Sequence, residues 1–397
     1  MPAKQAHIAS LDGLRFLAAL SVLISHAAYQ LYPPGNGDGM SRLAWNLTHL
    51  ASFGMTLFFV LSGFVIHWNY RQSVQEPGGL RAFFIARWSR LYPLFLVMFV
   101  VGITGEVLAR GYFFRVMLTT PFFLTFTSTW WYWQIDGLHI FEIYNHPAIG
   151  VMWSLATEAF FYAAYPLLAP MAARLSLHRS ILSIGLAGAL AAATALGLFF
   201  FRNEIAAYAA KHFNVADTGQ FIFWLGYTSP WMRLSEFLLG VFTAQLVLAG
   251  FRLRPPIADA IGLFCFAAIA AIFQMRNPVS MTDTTLVAPC FAGICLAAAS
   301  DRSRIGILLS APLMVWGGEA SYSLYLLHGP ILILSLRPSI GLFDRASPLP
   351  WFFLTTIFAI LIARFSYASI ERPGRRIFRA LASKPRAPSE ASEITRY

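Results

Sequence analysis

The sequence is poor in charged residues: Asp, Glu, Lys and Arg make up only 12% of its 397 residues, and 57% of the residues are hydrophobic. Soluble domains contain about 25% charged residues, so this shortage argues against a soluble globular protein. Apolar runs of about 20 residues, the length that crosses a bilayer as a helix, recur along the chain. The composition therefore predicts an all-α, polytopic bundle of membrane helices.

Cysteine is scarce as well. The three present, Cys265, Cys290 and Cys295, lie in apolar runs with no paired spacing and no neighbouring cluster of His or acidic residues. This pattern indicates neither a disulfide framework nor a metal site. The chain has 18 acidic residues against 29 Lys and Arg, a formal charge of +11. In a membrane protein loop topology explains this excess better than a nucleic-acid partner does, and no nucleic acid is expected.

The apolar runs predict about ten transmembrane helices. They are residues 13–32, 52–69, 91–109, 149–172, 180–201, 221–250, 256–274, 284–300, 306–336 and 349–369. If the N-terminus is inside, the segments assigned to the cytoplasm hold 18 of the 29 Lys and Arg residues and the outer loops hold eight. The positive-inside rule then predicts that both termini are cytoplasmic.

Some stretches depart from a simple span. Residues 116–133 are apolar enough to cross, but counting them would invert every later loop, so they are predicted to be re-entrant or interfacial. The run 306–336 is long for one helix and contains Gly317-Gly318, where a tilt or break is expected. Residues 1–381 form one predicted membrane domain, and the polar stretch 382–397 is a predicted disordered cytoplasmic tail.

The first span carries two ionisable residues, Arg15 and His26. Ionisable side chains are costly in hydrocarbon, so those found within a span usually have a function. Eleven residues of α-helix advance about 16 Å and return almost to the same direction, so both side chains face one way. The alternative is that this segment is a secretory signal peptide with its cleavage site at Ser25-His26-Ala27. A mature protein that begins at Ala28 would lack His26.

Arg87 and Arg90 follow the second span and share one helix face. Two guanidinium groups at this spacing can bind phosphate in a bidentate manner, which two lysines cannot match. A phosphorylated cytoplasmic donor would fit there. The alternative is that these arginines only set orientation and contact lipid headgroups.

Two later spans also contain ionisable groups. Glu158 lies about two turns inside the fourth span, where an unpaired carboxylate would protonate, so it needs a partner such as His26 or an arginine; a structural hydrogen bond between helices is the alternative. The ninth span contains Tyr325 and His328. These two residues, together with Tyr162, are candidates to line a substrate cavity, although packed helices also hydrogen-bond in this way without a ligand.

Several motifs together resemble the acyltransferase-3 family of integral membrane acyltransferases. They are, in chain order, LDGLRFLAALSVLISH, FFVLSGF, Arg87-x-x-Arg90-x-x-Pro93, WSLATEAFFYAAYP, SYSLYLLHGP and IERPGRR. They extend from residue 11 to residue 376 in the order of the family. The resemblance is to the membrane domain alone, without the periplasmic SGNH-type domain that some members carry.

The resemblance implies a bacterial inner-membrane O-acyltransferase. Such an enzyme moves an acyl group, with acetyl expected, from cytoplasmic acyl-CoA to a hydroxyl of an envelope or secreted glycan. Acyl-CoA is then a substrate, no cofactor is permanently bound, and the partners are the donor, the glycan acceptor and membrane lipid. Arg15 and His26 correspond to the paired functional residues of the first helix, with His26 as the catalytic base. Arg87 and Arg90 would bind the donor, and Glu158 would stabilise the imidazolium of His26.

Other functions remain open at this point. Intramembrane His, Glu and Arg also suit a proton-coupled secondary transporter of a small solute or glycolipid, although the two halves of the chain show no internal repeat. A catalytically silent partner of a polysaccharide assembly machine is a third possibility. Within the enzyme hypothesis, an acyl-histidine intermediate competes with direct transfer.

Overall fold

The computed structural model describes residues 6–31, 46–135, 138–140, 147–275, 285–300, 302–335 and 348–383. Helices dominate these residues. They are α1 (Ala9–Leu31), α2 (Leu50–Tyr70), α3 (Gly79–Arg110), α4 (Phe113–Leu124), α5 (Pro147–Gly150), α6 (Trp153–Ala172), α7 (Leu177–Phe200), α8 (Arg202–Phe213), α9 (Thr218–Phe223), α10 (Pro230–Leu248), α11 (Pro255–Met275), α12 (Ala288–Ala298), α13 (Arg304–Leu309), α14 (Pro312–Glu319), α15 (Ser321–Ser335), α16 (Pro348–Ser366) and α17 (Arg372–Ser383). Two π-helical segments, Trp224–Thr228 and Tyr367–Glu371, lead into α10 and α17. Two antiparallel strands, Gln134–Ile135 and Leu138–His139, form a short hairpin.

Seven helical stretches in the described residues are long and apolar enough to cross a membrane. They are Ala9–Gln30, Leu50–Tyr70, Gly79–Ala109, Leu177–Phe200, Thr218–Leu248, Pro255–Phe273 and Pro350–Ala382. The polytopic helical bundle predicted from the sequence is thereby confirmed. The other three predicted spans correspond to α6, to α12 and to the broken run from α13 to α15. The count of ten spans and the cytoplasmic placement of both termini stay predictions.

The helices divide into a buried centre and a lipid-facing rim. In their most apolar windows, α2 is 72% buried and the stretch Thr218–Leu248 is 67% buried, whereas α11 is only 17% buried. Large apolar side chains such as Leu186, Leu263 and Phe264 are exposed on the outer helices. A bilayer solvates these side chains, so α7, α11 and α16 are the lipid-facing helices.

Helix α3 is longer than the span predicted at 91–109. It begins after Gly78, which has a positive φ of 76°, and ends before Gly111, with φ 67°. Its 32 residues extend about 48 Å, well beyond a hydrocarbon core of about 30 Å. Arg87 and Arg90 therefore lie in the same continuous helix as the span, which also contains Pro93.

The break expected at Gly317-Gly318 is present within two residues: α14 ends at Glu319, Ala320 interrupts the helix, and α15 begins at Ser321. A second interruption lies at residues 310–311. Gly318 has a further role, because a Cβ there would lie 2.1 Å from the carbonyl oxygen of Asp12. The glycine thus lets α14 contact the backbone of α1.

Residues 116–133 do not form a spanning helix. α4 has 12 residues, about 18 Å of helix, and the chain then turns at Phe126, which has a φ of 54°. This short helix agrees with the re-entrant or interfacial prediction. The predicted tail, 382–397, lies outside the described residues except for Ala382 and Ser383, which end α17.

Glycines also bring α2 and α10 together. A Cβ on Gly63 would lie 2.0 Å from the carbonyl oxygen of Phe237, and one on Gly240 would lie 1.9 Å from that of Val60. We expect Gly240→Ala to lower the thermal unfolding temperature in detergent, because the two backbones must separate at a cost of about 1–3 kcal/mol. Gly185→Ala on α7 is the control, since no atom lies within 4 Å of its added Cβ. Equal unfolding temperatures for the two variants would contradict this packing.

Candidate active site

A cavity lies among α1, α2, α3, α6 and α15 and contains about 550 Å³ of unoccupied space, including its opening. Its apolar lining includes Met55, Phe58 and Phe59 from α2. Polar side chains in its lining include Arg15, Ser62, Arg90, Ser154, Glu158 and Tyr325. Four residues predicted from separate motifs, on four different helices, therefore share one cavity.

Glu158 has two hydrogen-bond donors. Tyr162, one turn later on α6, donates its hydroxyl to Glu158 Oε1 at 2.5 Å, and Ser62 donates to the same oxygen at 3.3 Å. The charge of Glu158 also interacts with those of Arg15 and Arg90. The carboxylate therefore has the partners that burial requires.

Arg15 is held from its own helix. Its Nη1 donates to Asp12 Oδ1 at 3.3 Å, and His7 Nε2 lies 2.7 Å from the other oxygen of Asp12. Asp12 was not among the residues singled out from the sequence. Its position three residues before Arg15 is the i,i+3 spacing of a helical ion pair, which is the signal that identifies it.

Arg87 and Arg90 face the protein interior. Arg87 is only 8% exposed. It donates from Nη2 to the Tyr70 hydroxyl at 2.7 Å, and its guanidinium lies 4.7 Å from the centroid of that ring. Arg90 lines the cavity. Arginines that only anchor a helix extend toward headgroups, so this inward arrangement favours a ligand site over simple orientation.

His26 lies against a second histidine, His328 of α15. The two ring centroids are 4.9 Å apart, with the planes tilted by 33°. His26 Nδ1 is 3.0 Å from the carbonyl oxygen of Val22. Since a carbonyl only accepts, Nδ1 carries the hydrogen in the neutral ring and Nε2 keeps its lone pair. The His26 side chain is exposed.

His328 has the same tautomer. Its Nδ1 is 2.6 Å from the carbonyl oxygen of Tyr325, and its Nε2 is buried without a hydrogen-bond partner in the described residues. Tyr325 connects the histidine pair to the cavity: it lines the cavity, its ring lies 5.8 Å from that of His328, and its hydroxyl accepts from Ser154 at 2.7 Å.

The predicted pairing of Glu158 with His26 is not what the structure has. Glu158 shares the cavity with Arg15, and about 16 Å of α1 separates Arg15 from His26. The carboxylate is hydrogen-bonded by Tyr162, while His26 has an imidazole as its neighbour. The predicted residues thus form two groups at different depths: an arginine and carboxylate group, and a histidine group.

A second buried ion pair lies outside this cavity. Arg233 and Glu236 of α10 are both fully buried, with Nη1 and Oε1 2.6 Å apart. Thr56 donates to Glu236 Oε1 at 3.2 Å, and Arg233 Nε donates to the carbonyl oxygen of Tyr227 at 2.8 Å. The two opposite charges are thus paired with each other, apart from the cavity. In the part of the chain that the structure describes, no group of three or more His, Cys, Asp or Glu could hold a metal ion.

Known proteins resemble this chain along most of its length. A protein of Staphylococcus aureus (strain COL), provisionally named as an O-acetyltransferase, is 27% identical over 387 residues, covering 94% of this chain and 58% of that protein. The peptidoglycan O-acetyltransferase OatA of Listeria monocytogenes is 25% identical, covering 93% of this chain and 56% of OatA. This chain thus spans somewhat more than half the length of these two relatives.

A relative of more similar length is the acyltransferase MdmB of Streptomyces mycarofaciens, which is 26% identical over 334 residues, covering 83% of this chain and 80% of MdmB. No solved structure matches this chain. A family model described as an acyltransferase domain matches residues 8–367. That match covers the whole cavity and both histidines, and it confirms the resemblance drawn from the motifs. The chain is therefore a member of the acyltransferase-3 family of integral membrane acyltransferases.

Proposed function

We propose that this protein is an O-acyltransferase of the bacterial plasma membrane, which takes an acyl group, with acetyl expected, from cytoplasmic acyl-CoA and transfers it to a hydroxyl of an envelope or secreted glycan. One observation carries the proposal: α1 contains both Arg15, which lines the cavity together with Arg90 of α3, and His26, an exposed histidine whose Nε2 keeps its lone pair. The relatives named as O-acetyltransferases, all bacterial, support the acetyl group and the membrane.

The arginines suit the donor. Acyl-CoA carries several phosphate groups, and guanidinium forks bind phosphate oxygens through paired, charge-assisted hydrogen bonds. Arg87 is buried and has an Nε without a hydrogen-bond partner in the described residues. A ligand oxygen that satisfies this donor also removes the cost of leaving it unpaired. Glu158 and Asp12 position Arg15 and Arg90 rather than taking part in proton transfer.

The histidine suits the acceptor. The glycan hydroxyl attacks the thioester carbonyl while His26 Nε2 removes its proton, so that a C–O bond forms and the C–S bond breaks. The proton then passes from the imidazolium to the departing CoA thiolate. Val22 fixes the tautomer through Nδ1, and His328 packs against the ring. Peptidoglycan, the substrate in the name of OatA, is one glycan of the required kind.

The depth difference between the two groups gives a route across the membrane. Arg15 and His26 are about 16 Å apart along α1, and Tyr325 lies between the cavity and the histidine pair. The phosphate end of the donor would remain near the arginines while its acyl end reaches His26. One protein could therefore join a cytoplasmic donor to an acceptor on the other side.

We expect His26→Ala to reduce transfer by about 10²- to 10⁴-fold, because a positioned general base contributes that much to the rate. The measurement is release of CoA and labelling of a glycan by purified protein with labelled acetyl-CoA. His178→Ala is the control, since His178 is exposed at the start of α7. Turnover by His26→Ala at the rate of this control would contradict the assignment. Glycan uptake without CoA release would instead favour a transporter.

Arg87→Gln and Arg90→Gln should each raise KM for acetyl-CoA by roughly tenfold to a hundredfold, the effect of losing a charged hydrogen bond of about 1.5–3 kcal/mol. The quantities to measure are KM and kcat at saturating glycan. Arg179→Gln serves as the control, because Arg179 is exposed on α7. If both variants keep the KM of that control, these arginines do not bind the donor.

A further inference from the structure

The motif IERPGRR, residues 370–376, begins beyond the segment 8–367 that the family model matches. In the sequence it is one of the motifs that resemble the acyltransferase-3 family, and no role is assigned to its arginines. In the structure it packs against α3, the helix of Arg87 and Arg90. A Cβ on Gly374 would lie 2.5 Å from Pro93, so the glycine allows a close approach that fixes the start of α17 against α3.

The acidic residue of the motif holds one of its arginines. Glu371 is 0% exposed, and it accepts hydrogen bonds from Ser323 Oγ at 2.6 Å and from Arg375 Nη2. Ser323 belongs to α15, and its neighbours Ser321 and Tyr322 line the cavity. Glu371 thus ties α17 to the cavity wall and restricts where the Arg375 guanidinium can lie.

Arg375 does not line the cavity itself, but its helix contacts α3 beside Arg90, where Arg379 Nε donates to Ser89 Oγ at 3.2 Å. The charge of Arg375 interacts with those of Arg90 and Arg87, even though like charges repel strongly where water is scarce. The Nε atoms of Arg375 and Arg87 are both buried without a hydrogen-bond partner in the described residues. Neighbouring cations with unpaired donors are stabilised by an anion that brings several oxygens of its own.

We propose that Arg375 is an additional phosphate-binding residue of the donor site and that Glu371 positions it. Arg375, Arg87 and Arg90 then surround the phosphate groups of the nucleotide portion of acyl-CoA. This inference rests on the proposed acyl-CoA donor. A phospholipid headgroup has the same phosphate chemistry, so the experiment must separate the two sources.

The test compares two donors in phospholipid-free detergent. Acetyl-CoA carries the phosphates, whereas acetyl-pantetheine has the same reactive thioester without them. With acetyl-CoA, Arg375→Gln should raise KM by roughly tenfold to a hundredfold and leave kcat nearly unchanged. With acetyl-pantetheine, wild type and variant should have the same kinetic constants. Equal losses with both donors would indicate a structural role and overturn the proposal.

Arg376→Gln is the matched control, because Arg376 is the next residue of α17, carries the same charge and is exposed. It should keep the wild-type KM for acetyl-CoA. An increase equal to that of Arg375→Gln would indicate that any positive charge in this region has the same effect, and it would overturn the site.

Glu371→Gln, which keeps an acceptor oxygen but loses the charge, should show a smaller KM increase with acetyl-CoA and none with acetyl-pantetheine. A defect that appears only in nanodiscs with anionic phospholipid would assign Arg375 to headgroups and overturn the proposal.

Calorimetric titration of CoA separates this inference from the function on which it rests. If wild type binds CoA and Arg375→Gln binds it equally well, Arg375 is not in the site, and the acyl-CoA donor stands. If wild type does not bind CoA, the donor assignment fails and the inference fails with it. Weaker CoA binding by Arg375→Gln, with unchanged binding by Arg376→Gln, is the expected result.

Discussion

Charge inside an apolar bundle is the constraint on which this structure depends. Hydrocarbon offers no polar partner, so each ionised side chain must find one within the protein or bind one from outside. Glu158 obtains its partner from Tyr162, and Arg87 obtains one from Tyr70. The guanidinium groups that keep unpaired hydrogen-bond donors lie beside the cavity. An anionic substrate bound there supplies the missing acceptors.

The first helix connects the two chemical groups, and its neighbours fix its position through backbone contacts. A Cβ on Gly13 would lie 2.1 Å from the carbonyl oxygen of Leu309, and one on Gly54 would lie 2.7 Å from that of Ala18. Helices packed this closely have little freedom to slide. The relative depth of Arg15 and His26, and their register against α15, are therefore rigid features of the fold.

Much of the site could be predicted from residue type alone. Arg15, Arg90 and Glu158 stand out because they are ionisable groups in apolar sequence, and all three line the cavity. Tyr162, which donates to Glu158, is four residues later on the same helix and is visible in the sequence, whereas the contact of Ser62 with the same oxygen depends on how α2 packs against α6. The role of Arg375 was also hidden, because in sequence an arginine that follows a span resembles any other orienting charge.

The sequence by itself determined that this is a helical membrane protein and which side chains are able to carry its chemistry. Hydropathy and residue type are local properties, so they can be read along the chain without knowledge of the fold. Only the tertiary structure decided that His26 meets His328 and that Ser323 of α15 donates to Glu371. The physical reason is that these contacts depend on how helices distant in sequence pack side by side, and packing distances of a few ångströms are not encoded in any single segment.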